Sequence, residues 1–189
     1  MRGLPLGNTP KALDNSVADI TVGLMISAAR RFKEGVHMLE RGDWKPGVQW
    51  LLGQDIAGST VGIVGFGGIG QAVARRLRGF DVGRFLYSGR SDKPEAKALG
   101  AVRVSVEQLL KESDYVILCC PLENGTRHLI NADSLSIMKR TAVLVNIARG
   151  DIIPHLGSAT VQTRDNMACI AATNVISALE QKPMQFPVL

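Results

Sequence analysis

The chain has 189 residues, 46% hydrophobic and 5% aromatic, with 20 glycines and a net charge of +5. That is room for one well-cored domain and an appendage. Its arginines are scattered and lack interleaved aromatic residues, which argues against a nucleic-acid surface. No apolar run is long enough to cross a bilayer and no leader pattern opens the chain, so the expectation is a soluble, cytoplasmic protein with no membrane partner. Cys119, Cys120 and Cys169 have neither C-x-x-C nor metal spacing and are expected as thiols in a reducing compartment, the first two buried. No metal site is expected.

Residues 1–10 are short and turn-rich. A helix is expected over 13–39, capped by Asp14, Asn15 or Ser16 and ended by Gly42. Its apolar stripe, Val17, Ile20, Leu24, Ala28, Phe32 and Val36, either packs on its own domain or meets another subunit. A loop over 43–53 carries Trp44 and Trp50. Strands are expected at 60–64, 84–88, 102–104, 115–120 and 142–147. Between them lie helical stretches after Gly70, over 94–99, over 106–111 (a capping box from Ser105 and Gln108) and from Asn131 or Asp133 to Met138. A last helix is expected over 158–181, with a stripe through Met167, Ala171, Val175 and Ile176. This alternation predicts an α/β, Rossmann-like doubly wound parallel sheet with long flanking N- and C-terminal helices.

The stretch Gly65-Phe66-Gly67-Gly68-Ile69-Gly70 is a G-x-G-x-x-G between an apolar strand and a helix in which Ile69, Val73, Leu77 and Phe80 recur at helical spacing. By itself the pattern is a glycine-rich turn. In this context it is a dinucleotide fingerprint: the first glycine makes the turn, the second admits a pyrophosphate, and the third lets helix and strand pack closely. The helix N-terminus presents free N–H groups to the phosphates. An NAD(H) site places a carboxylate at the end of the second strand, where this chain reads Tyr87-Ser88-Gly89-Arg90-Ser91. Arg90 is either a solvated loop arginine or a partner for a 2′-phosphate, with Ser88 and Ser91 as further donors. The missing carboxylate and the present cation favour NADP(H).

Four motifs in order, VGIVGFGGIGQAVARRL, RFLYSGR, VLVNIARGD and PHLGSAT, resemble those of the D-isomer-specific 2-hydroxyacid dehydrogenases, and the likeness covers nearly the whole chain. The resemblance implies NADPH-dependent reduction of a small 2-oxo acid, such as glyoxylate or hydroxypyruvate, in a cleft between two domains. It implies a homodimer, or a mixed dimer, built through the 13–39 helix. By the same resemblance Phe66 to Gly70 hold the pyrophosphate through their backbone, and Gly89, Arg90 and Ser91 hold the 2′-phosphate. Pro121 and Ile147 line the nicotinamide end. Arg149 pairs with the substrate carboxylate, His155 donates the proton, and Gly157 and Ser158 lie beside the substrate. The residue types suit these roles: a guanidinium grips a carboxylate in bidentate fashion, and an imidazole can pass a proton near neutral pH.

Two departures from the family pattern bear on activity. The chain begins just before the long helix, so the first half of a substrate domain is not expected, and 8–155 reads as the dinucleotide-binding domain with 156–189 as a remnant of the other. Arg149 and His155 are also only six residues apart. A missing helix-strand unit would account for roughly 40 residues. It would have carried the glutamate that pairs with the histidine, and no Glu lies between Glu123 and Glu180. Loss of a comparable partner in serine proteases costs about 10⁴ in rate. Six residues span at most about 21 Å, so both side chains can still reach one nicotinamide. The second reading is a non-catalytic, NADP-binding or dimerising module. The last helix is expected to leave its apolar face exposed.

Overall fold

Largely apolar runs of three to five residues fit a parallel sheet whose central strands are covered on both sides. In the computed structural model, which describes residues 5–45, 47, 51–149 and 157–188, five such runs form one all-parallel sheet. They are β1 (Thr60–Val64), β2 (Arg84–Ser88), β3 (Ala101–Arg103), β4 (Tyr115–Leu118) and β5 (Val143–Asn146), in the order β3-β2-β1-β4-β5. The pairs run in phase: Val61 sits beside Phe85 and Tyr115, and Tyr115 beside Val143. Alternate residues therefore share a face. Val61, Ile63, Phe85, Tyr87, Tyr115 and Ile117 point to one core, and Val64, Leu86, Val116 and Leu118 to the other. Burying each such side chain contributes about 1.5–3 kcal/mol before entropy is counted.

The first core is closed by α1 (Asp14–Ala29) and α3 (Gly68–Leu77), through Ala18, Val22, Met25, Ala72, Val73 and Leu77. Arg76 of α3 holds Asp19 of α1 and also donates to Asn15 at 3.3 Å, so α1 is fixed against the glycine-loop helix. The second core takes Leu109 and Leu110 from α5 (Val106–Glu112). The remaining helices are α2 (Phe32–Glu40), α4 (Pro94–Ala98), α6 (Ala132–Ser136) and α7 (Val161–Leu179). The caps follow the sequence in part. Ser105 accepts from the Gln108 amide at 3.1 Å, but the Gln108 side chain turns to Glu112 at 2.7 Å, so the box is half formed. Asn131 makes the complete box with Ser134. No helix of the described residues is long and apolar enough to cross a membrane.

The expected 13–39 helix is two helices. It breaks at Arg30 and Arg31, the latter in the left-handed region at φ 55°. The cause is tertiary: the chain returns at Gly53 and Gln54, and the Gln54 amide donates to Ala29 O at 3.0 Å. The apolar stripe divides between a buried and an exposed set. Val17, Ala18, Thr21, Val22, Met25 and Ala29 are the buried set, while Ile20, Leu24, Phe32 and Val36 are 37–54% exposed.

α7 is tied to both ends of the chain by one buried amide. Asn174 donates to Asn8 O at 3.0 Å and accepts from the Phe186 amide at 3.3 Å, beside an antiparallel bridge between Gly7 and Pro187. Of the expected stripe, Val175 and Ile176 stand exposed and Met167 is half-buried; Val161 and Leu179 are exposed as well. All three cysteines are free; Cys119 and Cys120 are half-buried, and Cys169 is exposed on α7.

Asp114 locks the strand ends opposite the glycine loop. Its carboxylate accepts from the Thr60 amide at 2.8 Å and from Lys139 at 2.7 Å. Its backbone bonds to Thr60 O and the Val143 amide, both at 2.9 Å. Burial pushes this carboxyl up, but Lys139 and the Thr60 amide outweigh it and hold it below the ordinary 3.8. A carboxyl lowered by folding stabilises the fold above its unfolded pKa, and that contribution is lost as pH falls through the lower folded value. Asp114→Asn should therefore cost about 1–2 kcal/mol at neutral pH. The gap to the native protein should close as pH falls below about 4. Urea midpoints for both proteins across that range test this.

Candidate active site

The chain runs outward from β1 through β2 to β3, then crosses back to β4 and β5 on the other side. This makes a switch point beside β1, the place where open α/β sheets bind ligands. The loops leaving β1, β2, β4 and β5 meet there. The Gly65 amide donates to Ser88 O at 2.8 Å, Cys119 N to Val64 O at 2.8 Å, and Ile147 N to Leu118 O at 3.1 Å.

The glycine loop fits a dinucleotide pyrophosphate. Gly65 turns at φ 94°, and a Cβ there would lie 2.7 Å from Cys120 N. A Cβ on Gly70 would strike Gly65 O, which is the close packing of helix on strand. Gly67 has no atom within 4 Å of an added Cβ, so this point is open to a ligand. Helix α3 begins at Gly68 with no side-chain cap, leaving its first amides for an anion. The Asp14 carboxylate lies against Gly68. Burial raises that carboxyl, opposed by Arg75 and Lys11. Phe66 is buried and stacks on Tyr87 with ring centroids 4.6 Å apart, so only its backbone serves the loop. Ile69 is half-buried and reaches the cleft.

Gly89, Arg90 and Ser91 are exposed beyond β2, with Ser88 half-buried before them. The loop is held by residues that the sequence alone did not single out. The Tyr87 hydroxyl accepts from Lys93 N at 3.2 Å, and Arg103 of β3 donates to Gly89 O at 2.9 Å while pairing with Asp92 at 3.3 Å. The one available signal was an arginine in the Val102-Arg103-Val104 strand.

Pro121, Ile147 and Arg149 come together with Ile69 around a cavity of about 950 Å³. A narrower cleft of about 240 Å³ beside it is lined by Cys120, Pro121, Thr126, His128, Asn146 and Arg149. Arg149 is exposed and donates to the neighbouring Ala148 O at 2.8 Å, and it has no ion pair among the described residues. Asn146 braces this turn by donating to Arg149 O at 3.1 Å and accepting from Ala148 N at 2.9 Å. His128, not anticipated, lines both cavities at φ 54°, with its carbonyl held by Asn131 at 3.1 Å. Burial and then the adjacent Cys120 push the Cys119 thiol far up, and burial raises that of Cys120, so neither is a thiolate at neutral pH. His155 lies outside the described residues. Gly157 is half-buried, and a Cβ there would meet Val17 of α1 at 3.3 Å; Ser158 follows, its carbonyl accepting from Thr160 N at 2.9 Å. No metal-binding cluster exists among the described residues.

The architecture is that of a Rossmann-like dinucleotide-binding protein. Residues 22–158 match the family model described as D-isomer specific 2-hydroxyacid dehydrogenase, NAD binding domain. The chain belongs to that family. It is 41% identical to a glyoxylate reductase of Thermococcus kodakarensis, over 93% of this chain and 67% of that protein. It is 36% identical to the human glyoxylate reductase/hydroxypyruvate reductase, over 97% of this chain and 69% of that one. A solved glyoxylate reductase from Paecilomyes thermophila superposes with a TM-score of 0.87 at 31% identity, covering 98% of this chain and 68% of the other. The chain thus spans about two thirds of the length of these relatives, which are named as enzymes. The Thermococcus alignment has 223 positions and uses 93% of 189 residues, about 176, so about 47 positions have no residue here. That is close to the length of the internal segment whose loss the sequence suggests.

Proposed function

We propose that the chain binds NADP(H), in preference to NAD(H), across the glycine loop and the β2 turn, and that it reduces a small 2-oxo acid of the glyoxylate or hydroxypyruvate kind. The observation that carries this reading is Arg149: a guanidinium with no ion pair among the described residues, opening with Pro121 and Ile147 onto a cavity that reaches the glycine loop. The reduced nicotinamide, when bound, supplies hydride. Arg149 holds the substrate carboxylate and draws charge from the keto group. His155 gives its proton to the oxygen that becomes the hydroxyl. Gly157 and Ser158 complete the substrate side. In this reading 8–155 is the cofactor domain and 156–189 a remnant of the second, and the protein is cytoplasmic.

The second reading is a non-catalytic NADP-binding module that dimerises, alone or with longer subunits, through residues 13–39. The exposed apolar run Ile20, Leu24, Phe32, Val36 and Leu39 favours it, as does the lack of any Glu in the sequence between Glu123 and Glu180. Both readings require NADPH binding, and only the first requires turnover. Loss of NADPH absorbance with hydroxypyruvate, at high protein concentration and against His155→Ala, separates them. Turnover that the variant abolishes supports the reductase; equal rates in both proteins leave the binding module.

A further inference from the structure

Arg90 and Arg103 flank the β2 turn but are differently engaged. Arg103 is committed to Gly89 O and Asp92. The Arg90 side chain is 86% exposed, and its ion-pair partner is Glu123, with Nη1 3.6 Å from Oε2. Glu123 comes from the loop after β4, on the other side of β1, so this pair bridges the two halves of the cleft mouth. Its base is fixed. The Glu123 amide donates to Thr126 Oγ1 at 2.8 Å, its carbonyl accepts from the Thr126 and Arg127 amides at 3.0 and 2.9 Å, and Thr126 Oγ1 donates to Pro121 O at 2.6 Å. A carboxylate is thus absent from the end of β2 but delivered to the same guanidinium from β4.

We propose that Glu123 is a specificity-determining residue that limits the preference for a 2′-phosphorylated dinucleotide by holding Arg90. The inference rests on the reading of Arg90 as the 2′-phosphate partner. An exposed pair of this kind is weak, so a phosphate dianion, with more charge and more acceptor oxygens, displaces the carboxylate. Glu123 still opposes it, because Arg90 must leave one partner to serve the other. A dinucleotide with a free ribose hydroxyl leaves the pair intact and is indifferent to it.

The test is titration of the full chain and its Glu123→Gln, Arg90→Ala and doubly substituted forms with NADPH, NADH and 2′,5′-ADP, which occupies only the adenosine end. Both side chains are exposed at their tips, so folding is not at stake. Glu123→Gln should tighten NADPH and 2′,5′-ADP by about three- to tenfold and leave NADH unchanged, with the gain shrinking at high salt. The gain should vanish in the Arg90→Ala background. Unchanged NADPH affinity, equal shifts for NADPH and NADH, weakened NADH, or a gain that survives without Arg90 would each overturn the proposal. Wild-type NADPH affinity in Arg90→Ala would instead overturn the assignment of Arg90 to the 2′-phosphate, whatever Glu123→Gln does.

Discussion

Gly65→Ala should cost about 3 kcal/mol of stability, whereas Gly67→Ala should cost no more than about 1 kcal/mol and yet weaken dinucleotide binding at least tenfold. The two glycines stand two residues apart in one loop and are needed for different reasons. Gly65 turns at φ 94°, outside the range L side chains favour, and an added Cβ would press on the backbone of Cys119 and Cys120 at 2.7–2.9 Å. Backbone cannot rotate away as a side chain can, so β1 and the β4 loop must separate. Gly67 is extended, at φ −82° and ψ −160°, and its Cβ would meet nothing. The fold does not need a glycine there; a dinucleotide phosphate bound at the α3 amides, as proposed, does. Thermal unfolding with and without NADPH reads both effects. A Gly67→Ala protein with native affinity would mean that the pyrophosphate does not cross this loop.

The features legible in the sequence are those with a short-range cause. The strands were readable because Val61, Ile63, Tyr115 and Ile117 alternate with residues that are themselves apolar, the mark of a sheet buried on both faces. The glycine loop was readable because its neighbours on both sides are regular elements. The break at Arg31 was not, because no glycine or proline marks it and its cause is Gln54 arriving on Ala29. The inward face of α1 is not legible from periodicity because that helix is apolar on two sides: Val17, Val22 and Met25 pack inward, while Ile20 and Leu24 remain outside. Pro121, Ile147 and Arg149, which the family resemblance singles out, line one cavity. Arg103, Thr126, Glu123 and His128 were missed because their roles depend on the β2–β3 register and on the turn after β4.

On the proposed reading, in which Arg149 makes a charge-assisted, bidentate contact with the substrate carboxylate, Arg149→Ala should lower kcat/KM for a 2-oxo acid by about 10²-fold or more. Arg149→Lys tests the shape of the contact rather than its charge. Lysine offers a point charge without the planar fork, so it should recover only part of the loss. The side chain is exposed, so neither change should move the unfolding temperature much. The split between constants is informative as well. If Arg149 only captured the carboxylate, KM would rise with kcat unchanged; if it also polarises the keto group as hydride arrives, kcat falls too. His155 sits six residues away in sequence without its expected glutamate, so proton donation should already be slow. With the chemical step limiting, KM approaches the dissociation constant and reads the carboxylate contact, while any loss of polarisation shows in full in kcat. Activity indifferent to Arg149→Ala would place the substrate carboxylate elsewhere in the cleft, where Arg127 and His128 are the other basic side chains lining the larger cavity.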